Sequence, residues 1–163
     1  MKELIESIAH QLTARHWMLA TAESCTGGLI AAQCTDLSGS SLWFDRGFVS
    51  YSNDAKSQML GVPPELIQAH GAVSEPVALA MALGAVYRSK AAVSVAVTGV
   101  AGPTGGSPDK PVGTVWIAWC IGGEPAAQLY LFSGDRQAIR TQTVAAAFRG
   151  LSERLVPSAR TLE

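Results

Sequence analysis

The stretch AAVSVAVTG, residues 91–99, carries no charged residue and is rich in β-branched side chains. A run with no polar face to give to water is expected as a strand covered on both sides. That requirement excludes a one-sided sheet and calls for helices on either face. The rest of the chain supplies them. Leu4, Ile5, Ile8 and Leu12 recur at helical spacing and predict a helix over 2–16. WMLATAE (17–23) reads as a short buried strand, and GGLIAAQCTDL (27–37) as a small-residue helix. LWFDRGFVSY (42–51) has strand character. SNDAKSQMLG (52–61) is expected as a helix capped by Ser52 or Asn53 and closed by Gly61. PPELIQAHG (63–71) and the segment from Ser74 to Lys90 follow as helices, with Ser74 as a cap. VGTVWIAWCIGG and EPAAQLYLFSG are joined through Gly-Gly-Glu-Pro and are expected to pair as an antiparallel hairpin, before a closing helix over 135–155. This alternation predicts an α/β fold: one three-layer α/β/α domain with a mixed sheet.

Bulk properties narrow the function. A chain of 163 residues is most economically one domain, 1–163. Its 48% hydrophobic content exceeds that of disordered chains. A net charge of −1 offers no footprint for generic binding to nucleic acid or a membrane surface, and leaves room for a local cationic pocket. Cys25, Cys34 and Cys120 are odd in number and lack CxxC spacing, which fits neither a disulfide framework nor a zinc cluster. The N-terminus is amphipathic and charged, not a signal segment, and no apolar run nears the roughly 20 residues of a membrane span. A cytoplasmic location is the expectation.

Four polar segments fall where elements end, which is where an α/β sheet usually places its site. They are ESCTGG, YSNDAK, TGVAGPTGGSPDKPVG and SGDRQAIR. Ser24 stands between a strand and a helix. Its hydroxyl could project from the sheet edge, with the N–H groups of Thr26, Gly27 and Gly28 facing an oxyanion or phosphate. Alternatively Ser24 or Thr26 caps the helix. Cys25 is a rival nucleophile, but His10, His16 and His70 all lie outside the Gly-rich loops, which leaves it without an evident base. Lys56 could serve Ser24 as base if desolvation lowered its pKa, with the Tyr51 phenol assisting; a solvated helix lysine is the other reading. The serine and lysine lie too far apart for an SxxK arrangement. Gly99, Gly102, Gly105, Gly106 and Gly113, interspersed with prolines, form neither a Walker A nor a dinucleotide fingerprint, and suit a loop that wraps a ligand. Arg136 and Arg140 share a face of the last helix at its start, where a cation opposes the helix dipole. An anionic ligand or pairing with Asp135 would relieve that conflict. The aromatics of LWFDRGF and TVWIAWC are expected in the core, with a dimer surface as the other reading.

Taken in order, TAESCTGGLIA, GSSLWFDRGFVSYSNDAKSQMLGV, HGAVSEPVALAMA, VTGVAGPTGGSPDKPVGTVWIA and FSGDRQAIR resemble the CinA C-terminal-domain family over nearly the whole chain. Within it, the likeness is to the stand-alone nicotinamide-nucleotide amidases. The resemblance implies hydrolysis of the carboxamide of nicotinamide mononucleotide, without metal or cofactor, in pyridine nucleotide recycling. It implies Ser24 as nucleophile, Lys56 as general base and Tyr51 as assisting phenol. Thr26, Gly27, Gly28, Thr98, Gly99, Gly102, Gly105 and Gly106 would line the substrate pocket, and Arg140 would bind the substrate. A homodimer is also implied. A second class stays open at this point: a catalytically silent nucleotide-binding module, or an interaction module of the kind the family's competence and damage names suggest.

Overall fold

The computed structural model describes residues 1–156; the last seven residues of the expected domain lie outside the described residues. In chain order the elements are α1 (Lys2–Ala14), β1 (Leu19–Glu23), α2 (Leu29–Thr35), β2 (Phe44–Val49), α3 (Asn53–Leu60), α4 (Pro64–His70), α5 (Glu75–Tyr87), β3 (Val93–Gly99), β4 (Thr114–Ile121), β5 (Glu124–Leu131) and α6 (Arg136–Leu155). The strands form one mixed sheet in the order β2-β1-β3-β4-β5. β1 runs parallel to β2 and β3, and β4 runs antiparallel to β3 and β5. The expected hairpin is therefore the β4–β5 pair, turning at Gly122 and Gly123.

The 91–99 run behaves as its composition requires, because β3 is buried along nearly its whole length. Its side chains sort by size. Val93, Val95 and Val97 join Leu19, Val115, Ile117 and Trp119 in a core closed by α1, α2 and α6. Ala96 joins Ala20, Ala22, Ala118 and Cys120 in a second core closed by α3, α4 and α5. Small residues on that second face let α5, itself rich in alanine, lie close to the sheet. Two tryptophans are core aromatics: Trp119 is fully buried and donates its indole N–H to the Ala147 carbonyl at 2.9 Å, and Trp43 is also buried, whereas Trp116, Phe44 and Phe48 are half-buried at the margins of the cores.

Helix ends follow the capping chemistry in most places. The Ser52 hydroxyl accepts from the Ala55 N–H at 3.0 Å, and Gly61 closes α3 at φ 70°. Asp135 caps α6 by accepting from the Ala138 N–H at 2.8 Å, which takes it away from the arginines of that helix. Ser74 departs from expectation. It stands at the N-cap of α5, but its hydroxyl donates to the Gly71 carbonyl at 2.8 Å, because the tight turn after α4 offers a nearer acceptor.

The seat of α3 on α5 depends on Gly84. A Cβ built there would lie 2.0 Å from the Leu60 carbonyl oxygen, at the end of α3. Alanine in a helix interior normally gains up to ~1 kcal/mol over glycine. Here overpacking outweighs propensity, and Gly84→Ala is expected to destabilise the fold by about 1–3 kcal/mol. A fall in the urea midpoint at unchanged slope checks this; a rise would show that α3 can move aside at no cost.

Candidate active site

The site forms where β1, β2 and β3 end, at the carboxyl edge of the parallel strands. The ladder runs one residue past the strands on both sides of β1. Ser24 N–H donates to the Val97 carbonyl at 3.1 Å, and Ser50 N–H donates to the Glu23 carbonyl at 2.9 Å. Ser24 is thus delivered by the middle of three parallel strands.

Glu23 shapes the turn that leads into α2. It is fully buried, and its carboxylate accepts from the Thr26 hydroxyl at 2.6 Å, the Ile30 N–H at 2.8 Å and the Ala31 N–H at 3.0 Å. A carboxylate at a helix N-terminus satisfies orphan donors and complements the dipole. The capping work expected of Ser24 or Thr26 is therefore done from the strand, one residue before the turn. The N-cap residue of α2 is Gly28 at φ 108°, with no side-chain cap of its own, and Gly27 before it sits at φ 61°. Two left-handed residues in succession fold the chain sharply and leave the Ser24 hydroxyl free for another partner.

That partner is Lys56. Its Nζ lies 3.0 Å from Ser24 Oγ, 3.1 Å from the Ser50 carbonyl oxygen and 3.1 Å from the Tyr51 carbonyl oxygen. Lys56 is only 1% exposed, and among the described residues it forms no salt bridge. Burial holds the amine below the ordinary lysine value of 10.5, with a weak opposing pull from the nearby Cys25 thiol. The three neighbours also orient it. A neutral amine has two N–H donors and one lone pair, and carbonyl oxygens can only accept. In its neutral form the amine can give its two N–H groups to the two carbonyls and keep its lone pair for the serine hydroxyl, whose oxygen also lies 3.4 Å from the Tyr51 carbonyl oxygen. At 3.0 Å the amine and the hydroxyl are within hydrogen-bond reach of each other.

The pair opens onto a cleft of about 380 Å³, with Thr98, Gly99, Gly102, Gly105, Tyr51 and Arg136 in its wall. Cys25 also borders it, but burial pushes its thiol up to about 11, so the thiolate is scarce at neutral pH. His10, His16 and His70 are exposed and lie outside the cleft wall. The side chain in contact with the Lys56 amine is Ser24, at 3.0 Å.

Residues 1–155 match the CinA C-terminal domain. The chain belongs to that family. It is 51% identical over 152 residues to the Nicotinamide-nucleotide amidohydrolase PncC of Escherichia coli strain K12, spanning 93% of this chain and 92% of that one. Identity is 55% over 133 residues with the protein of the same name from Pseudomonas putida, spanning 82% of this chain and 83% of that one. Its structure resembles the competence/damage inducible protein CihA from Agrobacterium tumefaciens, with a TM-score of 0.90, 48% identity and 94% of each chain covered.

Within this CinA C-terminal domain, the residues singled out in the sequence divide into three groups. Ser24, Lys56, Thr98, Gly99, Gly102 and Gly105 meet at the cleft. Tyr51 also meets it, through a different atom from the one expected: its backbone carbonyl holds Lys56, while its 59% exposed side chain accepts from Arg136 Nη2 at 3.3 Å. Thr26, Gly27, Gly28 and Gly106 lie outside the cleft wall. The Thr26 hydroxyl is turned inward to Glu23, Gly27 N–H donates to the Ser24 carbonyl at 3.0 Å, and Gly106 packs on Val112. Arg140 also lies outside. Its Nε and Nη2 donate to the carbonyls of Cys25 and Thr26 at 3.0 and 3.1 Å. The arginine that does reach the cleft is Arg136, one turn earlier, which donates to the Gly102 carbonyl at 2.8 Å. Sequence reasoning passed over Glu23, although a lone carboxylate ending an apolar strand before a Gly-Gly turn is itself a signal.

Glu23→Ala would strand two helix N–H groups and the Thr26 hydroxyl in the interior, at an expected cost of about 2–4 kcal/mol. Glu23→Gln keeps one acceptor oxygen and is expected to lose less. Urea unfolding of both variants measures the difference; equal and negligible losses would show that the cap is dispensable.

Proposed function

We propose that this chain hydrolyses the carboxamide of nicotinamide mononucleotide to nicotinate mononucleotide and ammonia, with Ser24 as nucleophile and Lys56 as general base. The observation that carries the reading is the 3.0 Å contact between Lys56 Nζ and Ser24 Oγ in a buried, carboxylate-free setting at the cleft. The substrate class rests on the two amidohydrolases that match over most of this chain.

In this mechanism, neutral Lys56 accepts the Ser24 proton as Oγ attacks the carboxamide carbon. The tetrahedral oxyanion meets backbone N–H groups of the turn after Ser24. The Lys56 ammonium then protonates the leaving nitrogen, the C–N bond breaks and ammonia departs. Water adds to the acyl-enzyme with Lys56 again taking a proton, and nicotinate mononucleotide is released with Ser24 restored. Arg136, exposed at the cleft mouth beside Tyr51, is the cation placed to meet the substrate phosphate. The family resemblance adds a homodimer that works without metal or cofactor in pyridine nucleotide recycling, and the cysteine usage adds a cytoplasmic location.

The decisive experiment is ammonia release from nicotinamide mononucleotide with chelator present. Wild type is expected to turn over, and Ser24→Ala and Lys56→Ala are each expected to lose on the order of 10³-fold or more in kcat. Cys25→Ala is expected to stay active. A folded wild type that releases no ammonia would remove the amidase reading and leave a catalytically silent nucleotide-binding or interaction module.

The pH profile tests the base separately. The active form is the neutral amine, so kcat/KM should rise with pH through the Lys56 pKa and level off below the ordinary lysine value of 10.5. Lys56→Arg, which cannot lose its proton, should remain inactive at every pH. A flat profile in the wild type would assign the proton to another group.

A further inference from the structure

Amide hydrolysis turns a neutral group into an acid, and the cleft has few places for the new charge. Among the described residues its wall carries two charged side chains, Lys56 and Arg136, and no aspartate or glutamate. The carboxylates on the elements packed around Lys56 are committed elsewhere or exposed. Glu23, at the end of β1, is spent on the start of α2. Asp45 on β2 pairs with Arg46. Asp54 on α3, Glu65 and His70 on α4 and Glu75 on α5 are exposed, and none of these carboxylates forms a salt bridge with Lys56. From α6, Arg140 donates to the Cys25 and Thr26 carbonyls, and Arg136 to Gly102 and Tyr51. The Cys25 thiol, pushed up to about 11, stays protonated at neutral pH. A proton on Lys56 therefore has no anion to answer it.

What Lys56 does have is a full set of acceptors. An ammonium has three N–H groups. Three oxygens lie within reach: Ser24 Oγ at 3.0 Å and the Ser50 and Tyr51 carbonyls at 3.1 Å each. With Oγ accepting from the ammonium, the Ser24 proton is left to the Tyr51 carbonyl at 3.4 Å, longer than the roughly 2.5–3.0 Å of an ordinary O–H···O bond. That donor is weakly held, and both Ser24 and Lys56 border the cleft. A carboxylate placed there can take the Ser24 O–H and sit beside the ammonium.

We propose that protonated Lys56 and the Ser24 hydroxyl form a carboxylate-binding site, so that the acid product binds with a proton on Lys56 and inhibits, while the amide substrate binds without one. This deepens the amidase reading and rests on it. The proton comes from the reaction itself. Of the two protons of the hydrolytic water, one restores the Ser24 O–H and the other ends on the new carboxylic acid. An acid with an ordinary value of about 4 gives that proton up beside an amine. Its O–H bond breaks, an N–H bond forms on Lys56, and each charge favours the other. Ammonia has already left, so every turnover ends with Lys56 charged, and that proton must reach solvent before the next.

Calorimetric titration in buffers of different ionisation enthalpy counts the protons taken up on binding. Nicotinate mononucleotide is titrated into wild type and Lys56→Met. The acid and nicotinamide mononucleotide are both titrated into Ser24→Ala, which leaves the amide uncleaved. The two ligands carry the same phosphate, so its titration cancels between them. At pH values where kcat/KM has levelled off, the acid is expected to take up as much as one proton and the amide none. The dissociation constant of the acid should rise about tenfold per pH unit there, because only the protonated fraction of the enzyme binds it. In steady state the acid should inhibit competitively, and more strongly as pH falls. Lys56→Met should take up no proton and bind the acid about tenfold or more weakly at neutral pH. If that variant does not fold, the comparison of acid with amide in Ser24→Ala decides the matter. Equal proton counts for the two ligands, or uptake that survives in Lys56→Met, would overturn the inference. If wild type released no ammonia but took up a Lys56-dependent proton with the acid, the carboxylate site would stand and the amidase reading fall. If it turned over the amide but showed no proton uptake with the acid, the reverse would hold. If it neither turned over the amide nor bound the acid, both would fall.

Discussion

A primary amine at 1% exposure with no salt-bridge partner among the described residues is penalised whenever it carries a proton. That penalty lowers the Lys56 pKa and sets it apart from a surface lysine, and much of the surrounding structure serves to maintain it. The amine enters from the first turns of α3, whose start is fixed by the Ser52 cap and whose end is pressed against Gly84. Its length is used up in reaching the Ser50 and Tyr51 carbonyls at the end of β2. A carboxylate alongside would have stabilised the ammonium and raised the pKa. The nearest acidic residue in sequence to Ser24 is Glu23, and its carboxylate is directed away into the start of α2.

The two ionic groups flanking Ser24, Glu23 and Arg140, resolve their charges on backbone. Glu23 gathers donors from one side of the turn, and Arg140 supplies donors to carbonyls on the other. Neither pairs with the other. The arrangement makes a short, glycine-bent segment rigid without placing a compensating charge next to the serine. It also settles the electrostatic conflict of arginines at the start of α6. The helix N–H of Ala138 is capped by Asp135, and the guanidinium groups find carbonyl partners on neighbouring loops.

The fold was largely legible because its signals are compositional. A strand without a polar face had to be β3 between two helical layers, and the Gly-Gly turn specified the β4–β5 hairpin. Capping residues marked α3 well because Ser52 and Gly61 act locally, within one turn of themselves. Reading of the caps failed where a polar side chain had more than one partner within reach. Ser74 chose an acceptor in the preceding turn, and the α2 cap came from the strand before it. The site shows the same boundary. Ser24 and Lys56 were visible as residue types at element ends. Which arginine faces the cleft, and that Tyr51 contributes its carbonyl to the amine, depend on where α6 and the end of β2 sit in space. No spacing rule encodes that.

The antiparallel direction of β4 has a further consequence. Because β3 ends and β4 begins at the same sheet edge, residues 100–113 leave that edge and return to it, clamped at their base by Val100 N–H to the Thr114 carbonyl and Gly113 N–H to the Val100 carbonyl, each at 2.8 Å. The segment therefore closes on itself before touching the strand register. Ser24 follows β1 and Lys56 lies in α3, in separate segments of the cleft wall. One segment of the wall can then change length or composition while the others keep their geometry, so selection on what is admitted need not disturb what is done to it.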